Sequence, residues 1–137
     1  MSDIVHWFSV NNLRLNNKKT KIVKFSTPNV QNVKPDVLIN GESMDPVETT
    51  EFLGLTLDAK LQWLPHINGL AGRLSSAAFA VKKIRLFTDV DTARLVYFSY
   101  FHSIMSYGIM LWGNAAAIHT IFVLQKRAIR AIYNLGA

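Results

Sequence analysis

Residues 52–66 read Phe52-Leu53-Gly54-Leu55-Thr56-Leu57-Asp58-Ala59-Lys60-Leu61-Gln62-Trp63-Leu64-Pro65-His66. A β segment ends in this stretch and a helix begins. Side chains alternate along a strand, so in a strand over residues 51–57 Leu53, Leu55 and Leu57 share one face. Phe52, Gly54 and Thr56 share the other, where Gly54 leaves a notch that another backbone could approach. Pro65 suits the first turn of a helix, because an N–H there has no intrahelical acceptor. The stretch thus divides a β-containing part from a helical part.

Towards the N-terminus, Val37-Leu38-Ile39-Asn40-Gly41-Glu42 is the clearest turn. Asn-Gly accepts positive φ at both central positions, as a tight hairpin requires. Pro46 limits the second arm to an edge or a bulge. Thr20 to Phe25 is β-prone, and Pro28 to Pro35 is polar and reads as a loop. The spacing of Ile4, Trp7 and Phe8 predicts a short helix from Ser2 to about Asn12. Ser2 can cap it, Asp3 suits its first turn, and Asn11 and Asn12 offer a way out.

Towards the C-terminus the helical signal dominates. Ile67, Leu70, Leu74, Ala77, Ala78, Val81 and Ile84 keep spacings of three and four on the helix opened by Pro65. Beside that face Arg73, Ser76, Ala80 and Lys83 form a strip of two cations around two small residues. Thr88-Asp89-Val90-Asp91 signals the next helix start. That helix, about 91–112, is apolar nearly all round and is expected to be the central one or to be covered by something outside this chain. Gly113 and Asn114 end it. A last helix, about 115–134, places Ile118, Ile121, Phe122, Ile129 and Ile132 inward and Lys126, Arg127 and Arg130 outward. Gln125 falls within the apolar arc and needs a partner if buried. Gly136 suits the end of that helix.

The expected fold is α+β: a short N-terminal helix and a small antiparallel sheet over 1–60, then a three-helix bundle over 61–137. The 137 residues suit one domain of ordinary size. There is no cysteine, which excludes disulfides and thiolate metal sites and leaves the compartment open. The net charge is +6. From Lys60 onward the chain carries nine basic residues and only Asp89 and Asp91 as acids. A one-sided positive field suits a polyanion, whether nucleic acid or an anionic membrane surface. Residues 95–125 lack Asp, Glu, Lys and Arg, but their polar residues and short apolar centre speak against a membrane span. No basic-then-apolar N-terminal signal appears, and an intracellular setting, nucleus or cytoplasm, is expected.

Catalytic constellations are mostly missing. His6, His66, His102 and His119 lack metal-ligand spacing, and no glycine-rich phosphate loop or nucleophile elbow occurs. Asp89 and Asp91 read as helix-start residues rather than a metal pair.

An ordered set of short patterns does recur. Leu15-Asn16-x-x-Lys19-Thr20 precedes the β-prone segment. Phe52-Leu53-Gly54-Leu55 follows, then Leu57-Asp58, Trp63, His66, Tyr107-Gly108, Trp112-Gly113 and Gln125-Lys126-Arg127-Ala128-x-Arg130. In this order they resemble the C-terminal palm and thumb of the reverse transcriptases of non-LTR, jockey-like retrotransposons, over essentially the whole chain. The resemblance implies an RNA-directed DNA polymerase fragment with a non-sequence-specific RNA/DNA primer–template and the rest of the polymerase palm and fingers as partners. It places Lys19 near the incoming nucleotide's phosphates and Phe52, Leu53 and Gly54 in a primer-gripping turn. The helices from Pro65 onward become a thumb, with Arg73, Ser76, Lys83, Lys126, Arg127 and Arg130 as candidate nucleic-acid contacts.

The family's catalytic Asp-Asp pair occurs nowhere in these residues. Two-metal nucleotidyl transfer needs carboxylates holding two ions, so Mg2+ is expected only in an intact polymerase and no activity is expected from this chain alone. Other readings stay open: Lys19 as a solvated lysine, Trp63 and His66 as packing for the first thumb turn, and the cationic strips as solvated helix faces. A non-enzymatic interaction module built on the apolar helix 91–112 is the alternative function, and a small membrane protein is a third.

Overall fold

The computed structural model describes residues 2–26, 37–39 and 41–135, with only the backbone of Ser2. The expectations for a Ser2 side-chain cap, the loop from Pro28 to Pro35, Asn40 and Gly136 lie outside them. The chain divides into two compact units, Met1–Leu61 and Gln62–Ala137.

The first unit begins with α1 (Ser2–Val10). Asn12 stops it in the left-handed region at φ 55°. The Leu13 N–H donates to the Phe8 carbonyl at 2.8 Å and the Asn12 N–H to the Ser9 carbonyl at 3.1 Å, a Schellman ending. Its expected apolar face is only partly covered: Ile4 and Trp7 are exposed, and the half-buried Phe8 meets the Trp7 ring edge-to-face.

Strands β1 (Val37–Ile39) and β2 (Glu42–Met44) pair antiparallel with Ile39 opposite Glu42, as the expected hairpin requires. A second two-stranded sheet joins β3 (Thr49–Phe52) to β4 (Leu55–Asp58). This corrects the reading of residues 51–57 as one strand. Phe52 pairs with Leu55 across a turn made of Leu53 and Gly54. The shared leucine face does not exist, because the chain reverses in the middle of it. The β-prone segment from Thr20 to Phe25 forms no strand; Ile22 makes a single parallel bridge to Pro46. Pro46 has no N–H to extend that ladder. The core here is small and centres on Ile39 and Leu55.

The second unit is helical. Its first helix, α2 (Leu64–Phe87), carries Pro65 in the first turn as expected. Ile67, Leu70, Leu74, Ala77 and Val81 are buried along one face. Asp89 caps α3 (Val90–Val96), its side chain accepting the Thr92 N–H at 2.8 Å. The chain then runs through a π-helical segment (Tyr97–His102), α4 (Ser103–Ser106) and, after a break at Tyr107 and Gly108, α5 (Ile109–Trp112). α6 (Ile118–Tyr133) completes the bundle.

Two expectations change in this unit: of the two readings of 91–112 the central, most buried helix is overturned, and α6 turns a different face inward. The segment 91–112 is not uniformly buried: Ala93, Tyr97, Phe101, Met105 and Trp112 are buried, while Leu95, Phe98, Tyr107, Met110 and Leu111 are exposed. The π-helical turn and the break at Gly108 divide the apolar surface, so only one side of each piece meets the core. On α6 the buried residues are Ile121, Leu124, Ala128 and Ile132, whereas Phe122 and Ile129 are exposed. The expected set straddled two faces; the 121-124-128-132 spacing keeps to one.

Gln125 meets its expected need by donating from Nε2 to the Tyr97 hydroxyl at 3.4 Å. α6 ends at Asn134, in the left-handed region at φ 51°. Each fully buried large apolar side chain contributes about 1.5–3 kcal/mol. The helical unit, with fourteen of the sixteen buried apolar residues among those described, therefore holds most of the stabilising burial seen.

Candidate nucleic-acid interface

In the first unit the sequence motifs become turns. Leu53 has φ 48° and Gly54 φ 76°. Positive φ at both positions is the type I′ pattern that matches the twist of a tight hairpin. Phe52 and Leu53 are exposed at this tip, Leu53 by 73%. The notch expected at Gly54 is therefore a turn residue beside two outward apolar side chains.

The Leu15-Asn16-x-x-Lys19-Thr20 pattern folds around Asn16. The Asn16 carbonyl accepts from the Lys19 N–H at 3.0 Å, the Thr20 N–H at 2.9 Å and the Thr20 hydroxyl at 2.9 Å. Its side-chain oxygen also accepts the Lys19 N–H, at 3.3 Å. Asn17 Nδ2 donates to Glu42 Oε2 at 3.0 Å and ties the turn to β2. Lys19 itself is exposed. The Leu57-Asp58 pattern ends β4 and starts the turn after it: the buried Asp58 accepts the Lys60 N–H through Oδ1 at 3.1 Å, and its carbonyl accepts the Leu61 N–H at 2.9 Å.

In the second unit Trp63, at φ 64°, precedes α2 and meets His66 edge-on at 6.1 Å between ring centroids. His66 in turn lies 5.8 Å from the fully buried Trp112. Trp112 Nε1–H donates to the Tyr107 carbonyl at 2.9 Å. These aromatics pack the start of the bundle. Burial first, and then the Arg73 charge, lowers the His66 pKa. At Gly113 a Cβ would stand 2.5 Å from the Ile109 carbonyl oxygen, so the Trp-Gly pair is dictated by packing. Among the described residues no group of three His, Asp or Glu is placed to hold a metal ion.

The cations fall on distinct surfaces of this unit. Arg73, Ser76 and Lys83 are exposed along one strip of α2, with Ser76 Oγ donating to the Gly72 carbonyl at 3.3 Å. Lys83 Nζ lies 5.4 Å from the Phe79 ring centroid, and Lys126 Nζ lies 4.3 Å from that of Phe122. Arg127 and Arg130 stand apart from the α2 strip, on a groove of about 640 Å³ between α2 and α6. Lys82, which sequence reasoning passed over, lines the same groove. The signal was present: Phe79, Lys82 and Leu86 recur at three- and four-residue steps and so share a helix face.

The chain is 30% identical over 125 residues to a probable RNA-directed DNA polymerase from transposon BS of Drosophila melanogaster, covering 88% of this chain and 14% of that protein. It is 29% identical over 135 residues to the RNA-directed DNA polymerase from mobile element jockey of Drosophila melanogaster, covering 92% of this chain and 14% of that protein. The chain thus spans about one-seventh of the length of these relatives. No protein-family model matches the chain, and no solved structure does.

Proposed function

From this chain's kinship with the RNA-directed DNA polymerases of non-LTR, jockey-type mobile elements, we propose that it is the primer–template-gripping part of such a reverse transcriptase. The single observation that carries the reading is sequence identity sustained over about nine-tenths of the chain with two polymerases of this kind. The first unit is then the end of a palm and the second a thumb. The exposed hairpin tip of Phe52, Leu53 and Gly54 would lie against the primer's sugar-phosphate chain. Arg73, Lys83, Lys126, Arg127 and Arg130 would neutralise backbone phosphates, with the small Ser76 letting the strand come close. Such contacts position a duplex without reading its sequence.

Lys19, exposed on its Asn16-anchored turn, would approach nucleotide phosphates only in a complete polymerase. The 137 residues contain no Asp-Asp pair. Magnesium ions for nucleotidyl transfer would be held by carboxylates other than these, and the chain alone is expected to bind and not to extend a primer. The test is fluorescence anisotropy with a labelled RNA–DNA hybrid over a range of salt. Binding that weakens steeply with salt is the expected result; no affinity at low salt would remove the reading.

A protein-interaction role is favoured by a separate observation. Leu95, Phe98, Met110 and Leu111 are each more than half exposed, Met110 by 93%. Single exposed apolar residues are ordinary, but several within one short segment are what a partner covers. Sedimentation as a clean monomer would count against self-association through this segment. No helix among the described residues is long and apolar enough to cross a membrane.

A further inference from the structure

The groove between α2 and α6 has a chemistry that phosphate binding does not explain. Phe79, Lys82 and Leu86 line one side, and Arg127, Arg130 and Leu135 the other. Phe79, Leu86 and Leu135 are 61%, 63% and 59% exposed. Three large apolar side chains this open in one trough are a surface that a partner removes from water. The lining also carries three cations and no acid.

A single nucleic-acid strand fits this floor poorly. Strand-binding channels combine cations with aromatic platforms on which bases stack. Phe79 is the only aromatic residue in the lining, and the Lys83 ammonium already lies 5.4 Å from its ring centroid. Apart from the three cations and Asn134, the described lining is aliphatic (Ala78, Leu86, Ala131 and Leu135) and gives bases no further platform to stack on. A helix fits better. On α2 Phe79, Lys82 and Leu86 recur at steps of three and four, and on α6 Arg127 and Arg130 are three apart, with Leu135 just past its end, so a ridge from each helix borders the trough. A third helix beds between such ridges at about 8–10 Å from each axis.

We propose that this groove docks an amphipathic helix with acidic margins. The helix would set apolar side chains at i, i+3 or i+4, and i+7 against Phe79, Leu86 and Leu135. Its Asp or Glu residues would face Lys82, Arg127 and Arg130. The charge complementarity selects acidic helices over basic ones, and the apolar floor selects a peptide over a phosphate backbone. Arg127 and Arg130 are shared with the nucleic-acid reading, whereas Lys82, Phe79, Leu86 and Leu135 belong to this docking alone and test it separately.

The test uses the full chain and two labelled synthetic peptides of about 20 residues, long enough to hold helical structure. Both carry the same leucine stripe; one has glutamate margins and the other lysine margins. Anisotropy is expected to show the glutamate peptide binding at least tenfold more tightly. Lys82→Glu with Arg130→Glu is expected to weaken it by at least tenfold. Leu86→Ser is expected to weaken it by at least fivefold while leaving affinity for an RNA–DNA hybrid unchanged. Leu135→Ser, on the opposite side, provides the same reading should Leu86→Ser lose its helical circular dichroism. Equal binding of the two peptides, or unaltered affinity in both serine variants, would overturn the proposal. So would a hybrid that displaces the peptide and is itself weakened by Leu86→Ser, since the groove would then be a nucleic-acid track.

Discussion

Leu53 occupies a conformation that a leucine rarely adopts, with φ 48° beside Gly54 at 76°. An ordinary side chain in the left-handed region costs about 1–2 kcal/mol, and Asn is the usual residue before Gly in such a turn. Leu53→Asn is therefore expected to raise stability by about 0.5–1 kcal/mol in urea unfolding. It is also expected to lower affinity for an RNA–DNA hybrid, because the apolar tip is lost. Gains in both quantities would show that Leu53 serves no primer contact. Gly113 presents the opposite case. Any Cβ there meets the Ile109 carbonyl, so Gly113→Ala is expected to cost about 1–3 kcal/mol by crowding, read as a lower Tm. His66 supplies a pH effect. Its folded pKa is depressed by burial and by Arg73, so the unfolded chain takes up a proton first as pH falls. Its contribution is complete above the ordinary histidine value near 6.5 and is lost progressively below it. Thermal melts at pH 7.5 and 5.5 are expected to show a drop that His66→Phe reduces.

At the scale of elements, α3 depends on one visible cap. Removing it with Asp89→Ala is expected to cost about 1 kcal/mol in urea unfolding. This start was legible in Thr88-Asp89-Val90-Asp91, as α2 was in Pro65 and its apolar spacing and the first hairpin in Asn40-Gly41. Such features are local, carried by dihedral preference and period. The second hairpin was not legible as a turn from residue types, because Leu53 breaks the local rule that would have announced it. The faces of residues 91–112 and of α6 were missed for another reason. Where apolar residues occur all round a helix, periodicity cannot choose a side, and the π-helical turn at 97–102 and the break at Gly108 decide it instead. Among the candidate site residues, the exposed cations were legible by type. Their grouping was not, since joining Lys82 to Arg127 and Arg130 needs two helices brought together in space.

For the whole molecule, the basic balance and the kinship with mobile-element polymerases point the same way. The chain carries an excess of six positive charges, and Arg73, Lys82, Lys83, Lys126, Arg127 and Arg130 lie exposed on helices. Long-range attraction to a polyanion follows, and it falls off within about 8 Å at physiological salt. Affinity for a polyanion is therefore expected to be eroded by salt and indifferent to sequence. The most direct test titrates the chain into a labelled RNA–DNA hybrid from low to physiological salt. Tight binding is expected at low salt, with a log–log slope of roughly −3 to −5 at about 0.7–0.9 per neutralised phosphate. Equal affinity for hybrids of unrelated sequence and a flattened slope in the Arg73→Glu, Lys83→Glu double variant are also expected. No detectable binding at low salt, or a slope indistinguishable from zero, would contradict the nucleic-acid reading.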